Sequence, residues 1–203
     1  MRNTLLLLTF FTSSLFANMG AILIVPRDAA VVIGLYSGLC AVSTDINIDS
    51  TDPALDGRSY RFRNTDPFIG GLIGIQNSYY RLSLSYDINS DSDIRLQRYL
   101  LDFDFKIGNQ NRFRPVAGFG VGVSSSRYKV DGKKIDQNNG LLVFRAGAEY
   151  RIDKDNALEF LLEYARMLDA GGNNYYNGTD FTTYTIGEQH AVMFRAGYNF
   201  TFK

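Results

Sequence analysis

The chain has 203 residues, and its 21 basic and 21 acidic side chains cancel, so no global field draws it to nucleic acid or to an anionic membrane surface. Tyrosine numbers 13, phenylalanine 15 and glycine 19, whereas cysteine occurs once, which excludes an internal disulfide. The length suits one domain.

In chain order, Met1 to Ala17 reads as a secretory signal peptide. Arg2 supplies a positive start, Leu5 to Phe11 an apolar core and Ala17 a small residue before the cut. That core is too short to span a bilayer as a helix, which takes about 20 residues. Residues 18–203 are then the mature domain. Cys40 follows Ser37-Gly38-Leu39, without the small residue directly before it that a bacterial lipid-attachment site needs.

The remaining sequence resolves into eight strands. They are Ala29 to Val42, Pro67 to Gln76, Tyr79 to Asp87, Arg95 to Ile107, Phe113 to Tyr128, Leu141 to Ile152, Ala157 to Met167 and Glu188 to Phe202. The sixth and eighth contain near-copies, Val143-Phe144-Arg145-Ala146-Gly147 and Met193-Phe194-Arg195-Ala196-Gly197. In each, one parity is apolar and the other carries arginine, glycine and polar residues, which is the period of two expected of an extended chain. Each strand meets or exceeds the ~9–11 residues that a tilted membrane strand requires. Connections alternate in length: 77–78, 108–112 and 153–156 are short, whereas 43–66, 129–140 and 168–187 are long and 88–94 is intermediate. That alternation predicts an all-β, eight-stranded, antiparallel up-and-down transmembrane barrel.

A soluble barrel also alternates, with the opposite polarity. Two features favour the membrane. Gly118, Gly120, Gly122, Gly147 and Gly197 share parity with the arginines, and small residues belong in a lumen only just wide enough for side chains. Aromatic residues also gather at both strand ends. Tyr80, Phe105, Phe113, Tyr150, Phe160 and Phe202 lie next to the short turns, and Tyr86, Tyr99, Tyr128 and Tyr164 lie towards the long loops. Such a double girdle suits rings that favour the headgroup level.

By parity the lumen receives Arg81, Asp87, Arg98, Asp102, Asp104, Lys106, Arg114, Arg145, Glu149, Arg151, Glu159, Glu163 and Arg195. Buried charges of both signs in a narrow space are expected to pair. The register between the sixth and seventh strands sets either Arg145 opposite Glu163 or Arg151 opposite Glu159, and Arg195 can reach the same carboxylates. With eight strands this predicts a salt-bridged plug rather than an ion-selective pore.

The signal sequence, the eight strands, the run Arg114-Pro115-Val116-Ala117-Gly118-Phe119-Gly120-Val121-Gly122 and the aromatic C-terminus together resemble the OmpA-like family of small outer-membrane β-barrels. The resemblance implies the outer membrane of a Gram-negative cell, contact with lipid and lipopolysaccharide, and insertion by the barrel-assembly machinery. In this family that machinery reads an aromatic C-terminal residue, here Phe202 displaced by Lys203. No peptidoglycan-binding domain is expected after the barrel, and the barrel is expected to be monomeric.

Three functional classes follow. The first is a non-enzymatic surface barrel that supports membrane integrity or presents its loops to a host, phage or other partner, with Tyr175, Tyr176, Phe181 and Tyr184 as candidate binding residues. The second is a small pore or transporter for ions or apolar solutes. The third is a lipid A-modifying or proteolytic barrel, which needs a nucleophile and a base. The sole histidine, His190, is followed by Ala191-Val192 rather than the His-x-Ser of lipid A deacylases and reads as an interfacial residue. No cofactor or metal motif is expected: Asp45 to Asp56 lacks the ligand spacing of a Ca²⁺ loop, and no helix follows the alternating glycines of the fifth strand. Asn177-Gly178-Thr179 matches a glycosylation triplet that carries no information in a bacterium.

Overall fold

The computed structural model describes residues 29–90, 94–108, 112–130, 132–168, 172–176 and 181–202. The expected signal peptide, the triplet at 177–179 and Lys203 lie outside the described residues. Ten strands form: β1 (Ala30–Ser50), β2 (Ser59–Gln76), β3 (Tyr80–Ser90), β4 (Ile94–Lys106), β5 (Phe113–Val130), β6 (Lys133–Arg151), β7 (Asn156–Met167), β8 (Gly172–Tyr176), β9 (Phe181–Ile186) and β10 (His190–Phe202). Every pairing is antiparallel. Strands β1 to β7 and β10 follow one another round a ring, closed where β10 pairs with β1 from Val31 opposite Phe202 to Ser43 opposite His190. The chain is an eight-stranded up-and-down barrel, as its alternation predicts.

The long connections differ from expectation. Residues 43–66 and 129–140 are mostly strand, because β1 and β2 stay paired from Cys40 opposite Asp66 up to Asn47 opposite Ser59. Likewise β5 and β6 stay paired up to Val130 opposite Lys133. Gly57 and Gly132 turn these hairpins with φ of 70° and 74°, a backbone state that glycine adopts at no steric cost. Residues 168–187, expected to be a loop, contain the β8–β9 hairpin, and β9 pairs with the upper part of β1. Two flaps therefore stand on the long-loop rim: β2, β1, β9 and β8 form one, and the β5–β6 hairpin forms the other.

The opposite rim has compact turns held by side chains. Asn77 Oδ1 accepts from the backbone N–H groups of Tyr79 and Tyr80 at 2.8 and 2.9 Å. Asp153 Oδ1 accepts from the N–H groups of Asp155 and Asn156 and from Asn156 Nδ2 at 2.8–2.9 Å. These donors hold the Asp153 carboxyl below its usual range, the Asn156 side chain contributing most.

Between the rims the outer wall is apolar. Leu35, Leu39, Ile69, Ile73, Phe119, Phe144, Leu162 and Phe194 all point outward and are exposed. A continuous exposed apolar belt on a closed barrel is the surface of a membrane-spanning protein. Aromatic rings flank it: Tyr86 and Tyr99 are cross-strand partners with centroids 4.8 Å apart, and Tyr80 stacks on Phe103 at 6.0 Å.

Candidate functional site

The inward parity of each strand fills the barrel in layers, which β6 and β10 show in order. From the short-turn rim upward, β6 presents Glu149, Arg145, Val143, Leu141, Asn139, Gln137 and Ile135, all buried. The β9–β10 stretch presents Asn199, Arg195, Met193, Ala191, Gln189, Ile186 and Tyr184, also buried. The sequence thus builds ionic, apolar, amide and again apolar strata from one alternation.

The ionic stratum holds six basic residues, Arg81, Arg98, Lys106, Arg114, Arg145 and Arg195, and six acidic ones, Asp87, Asp102, Asp104, Glu149, Glu159 and Glu163. Glu149 joins Lys106, at 2.6 Å, and Arg114 at the short-turn rim. Arg81 bridges Asp104 and Glu159 at 2.6 and 2.7 Å, and Arg195 bridges Glu159 and Glu163 at 2.8 and 3.0 Å. Arg145 reaches Asp102 at 2.5 Å and lies 3.7 Å from Glu163. Arg98 forms a fork on Asp87 at 2.7 Å for both bonds and lies 3.4 Å from Glu163. Tyr36 sits beneath the Arg195 guanidinium, 4.4 Å from ring centroid to carbon, and is 3.3 Å from Asp87. Full desolvation of this many charges is tolerable only because each cation meets carboxylates directly.

Of the two registers the sequence leaves open, the barrel adopts Arg145 opposite Glu163, and Glu149 then faces Glu159. Arg151, expected in the network, lies half-exposed at the short-turn mouth and makes no ion pair among the described residues. It stands one inward position beyond Glu149, where the lumen opens to solvent.

Above the ions, Cys40, Phe68, Leu100, Leu141, Val143 and Met193 belong to a buried apolar cluster. Over it, Gln189 accepts from Asn139 at 3.1 Å and donates to Gln137 at 3.0 Å. At the top, Ile46, Ile48, Tyr184 and Ile186 of one flap meet Tyr128, Val130 and Ile135 of the other, with Ile94 below. Lys133 places its ammonium 5.7 Å from the Tyr184 ring and ties the second flap over the first.

Two expectations are corrected here. Tyr128 is not part of the outer girdle: it shares the inward parity of Arg114, is 1% exposed, and burial pushes its hydroxyl up to about 12. Tyr184 is not an exposed binding residue but a buried member of the cap, because β9 pairs with β1 and turns it inward. Phe181 is exposed, whereas the side chains of Tyr175 and Tyr176 on β8 lie outside the description. The other girdle residues point outward as the parity requires, with Tyr80 half-buried. His190 also faces outward, with Nδ1 2.8 Å from the Tyr164 hydroxyl and Nε2 3.2 Å from Glu188. Both ring nitrogens are thus occupied at the membrane edge.

No protein-family model matches the chain, and no curated protein matches it by sequence. Solved structures do match in fold. Neisserial surface protein A aligns with a TM-score of 0.55 at 13% identity, covering 83% of this chain and 96% of that one. OprG from Pseudomonas aeruginosa aligns with a TM-score of 0.55 at 14% identity, covering 84% and 96%. The N-terminal barrel domain of OprF from the same organism gives 0.51 at 15% identity, covering 81% and 97%. A closed eight-strand ring, an apolar outer wall and these alignments converge: the chain has the fold of the small eight-stranded outer-membrane β-barrels with which it aligns.

Proposed function

We propose that this chain is a non-enzymatic surface barrel of the outer membrane, exported by residues 1–17, with residues 18–203 forming the barrel. Its lumen is a plug rather than a path. Short turns face the periplasm in such barrels, so the two flaps stand on the cell exterior. The observation that carries this reading is the continuity of the filling: salt bridges, apolar side chains, amides and a two-flap apolar cap succeed one another from rim to rim. Water-filled channels belong to barrels with many more strands. The ionic layer ties together six of the eight ring strands, β3 to β7 and β10, and the flaps form a stiff platform for contact with partners, on which Phe181 remains exposed. Insertion through the barrel-assembly machinery as a monomer completes this reading.

Single-channel recording on the refolded protein in planar bilayers tests it. Flat traces at all voltages below membrane breakdown are the expected result. Stable, repeatable conductance steps would replace the plug with a pore.

A further inference from the structure

The outer wall of the second flap carries an arrangement that neither the plug nor the cap requires. Arg95 on β4 stands directly opposite Arg127 on β5, and Lys129 on β5 stands directly opposite Lys134 on β6. All four point outward and are exposed. Like charges directly opposite each other weaken a sheet. Among the described residues one carboxylate joins this face, Asp136, which holds the Arg127 fork at 2.5 and 3.1 Å. Arg95 has no ion pair among the described residues. The first flap shows the ordinary solution, where Arg61 stands opposite Asp45 and pairs with it at 2.8 Å.

Between the two arginines is a small cleft of about 80 Å³, lined also by Gln97, Ser125 and Asp136. It has room for one tetrahedral oxyanion with a few waters, and its amide, hydroxyl and guanidinium groups are donors to such a group. Arg95 lies four residues along β4 from the girdle tyrosine Tyr99, roughly 14 Å of strand. At the usual barrel tilt of about 45° that sets Arg95 roughly 10 Å beyond the ring, on the aqueous side of the girdle.

We propose that the outward face of β4, β5 and β6 above the Tyr86–Tyr99 pair seats a phosphate group on the headgroup of a lipid in the surrounding leaflet. The facing Arg95 and Arg127 are stable because an anion from the membrane lies in the cleft between them, with Lys129 and Lys134 adding positive charge beside it. This inference rests on the outer-membrane reading and on the flaps facing outward.

Native mass spectrometry of the detergent-solubilised full chain tests it with three probes: diphosphorylated lipid A, the same lipid stripped of phosphate, and inorganic phosphate. The folded chain is expected to retain lipid A about tenfold or more above the other two. Arg95→Gln/Lys129→Gln/Lys134→Gln, which spares the Arg127–Asp136 pair, should lower retention to that of the stripped lipid. Arg58→Gln/Arg63→Gln/Lys154→Gln removes three exposed charges elsewhere and should change nothing. Equal retention of both lipids, equal loss in both triple variants, or inorganic phosphate competing as well as lipid A would each overturn the proposal. Heat-modifiable migration on unboiled gels keeps the two readings apart. A chain that never shows a compact heat-sensitive band fails as a barrel, whereas a folded barrel indifferent to lipid A fails only here.

Discussion

Arg145 faces Glu163 directly in the β6–β7 register, yet its shortest ion pair, 2.5 Å, is with Asp102 on β4, two strands away in the other direction. The strand between them, β5, contributes Gly120 at the crossing point. A Cβ there would collide with Asp102 Oδ1 and stand 3.0 Å from Arg145 Nη2. Gly118, one inward position below, would collide with the Asp104 carboxylate in the same way. The glycine stripe of β5 is therefore the gap through which β4 and β6 exchange charge.

Gly120→Ala should destabilise the barrel by roughly 1–3 kcal/mol, the usual range for overpacking a filled interior. The further loss caused by Gly120→Ala should nearly vanish in an Asp102→Ser background, which clears the colliding oxygen at its own cost in unpaired charge on Arg145. Urea midpoints read from the folded and unfolded bands of unboiled gels give both values. An equal loss from Gly120→Ala with Asp102 intact and in the Asp102→Ser background, with Asp102→Ser alone as the reference, would show that Gly120 acts through the backbone and not through this ion pair.

Glu163 lies within 4 Å of Arg98, Arg145 and Arg195. Glu163→Gln leaves six buried cations facing five carboxylates in that stratum, so it should cost about 3–5 kcal/mol. Removing a partnered pair, Arg145→Met with Asp102→Leu, keeps the stratum neutral and should cost far less. A pair deletion as costly as the single change would mean that packing, not charge balance, holds the lumen.

Much of this was legible in the sequence because one parity rule governs each strand. The glycines beside Arg114, Arg145 and Arg195 correctly marked a crowded lumen, and the apolar parity correctly marked the outer wall. The rule misled only where the strands leave the apolar belt. There Ile46 and Ile48 on β1, and Tyr128 and Val130 on β5, keep the inward parity, but the inward side is now greasy and the outward side charged. The solvent outside has changed from lipid to water, so the polarity of the pattern inverts without a change of register. Read with the membrane's polarity, these stretches looked like loops, and Tyr128 looked like a girdle residue. Cross-lumen partners such as Asp102 and Arg145 were hidden for another reason: they lie on strands that never pair with each other.

Cys40, the chain's only cysteine, is fully buried in the apolar layer above the ions. A water-soluble maleimide should leave it unlabelled in the folded barrel for hours and label it fully within minutes after unfolding. Rapid labelling of the native protein would reveal a solvated lumen and contradict the continuous filling.

Tyr128 fills the cap between the flaps and packs against Phe62 with ring centroids 5.8 Å apart. Tyr128→Ala should cost about 3 kcal/mol, as large aromatic truncations do, but the loss should stay local to the flaps. Limited proteolysis should cut the Val130–Lys133 turn faster while the heat-modifiable band of the barrel persists. Loss of the whole compact band would show that cap and barrel form one cooperative unit.

The Arg127–Asp136 pair on the flap's outer wall gives a pH signature. Hydrogen bonds from the Arg127 guanidinium hold the Asp136 carboxyl below its usual 3.8. A depressed carboxyl contributes its stabilisation in full above 3.8 and loses it as the pH falls through the lower, folded value. Both side chains are about half exposed, so solvent and salt screen the pair and its effect on the whole barrel is small. The residue-level effect remains readable by carboxyl NMR in detergent micelles: Asp136 should titrate below 3.8, rise most of the way to the ordinary value in Arg127→Gln, and shift partway towards it in high salt. Lys134 on β6 also lowers the carboxyl, so Lys134→Gln should raise it by a smaller step. An Asp136 that titrates at or above 3.8 in the unmodified chain would mean the fork is open in solution. Arg127 would then be free to turn toward Arg95 and the cleft between them.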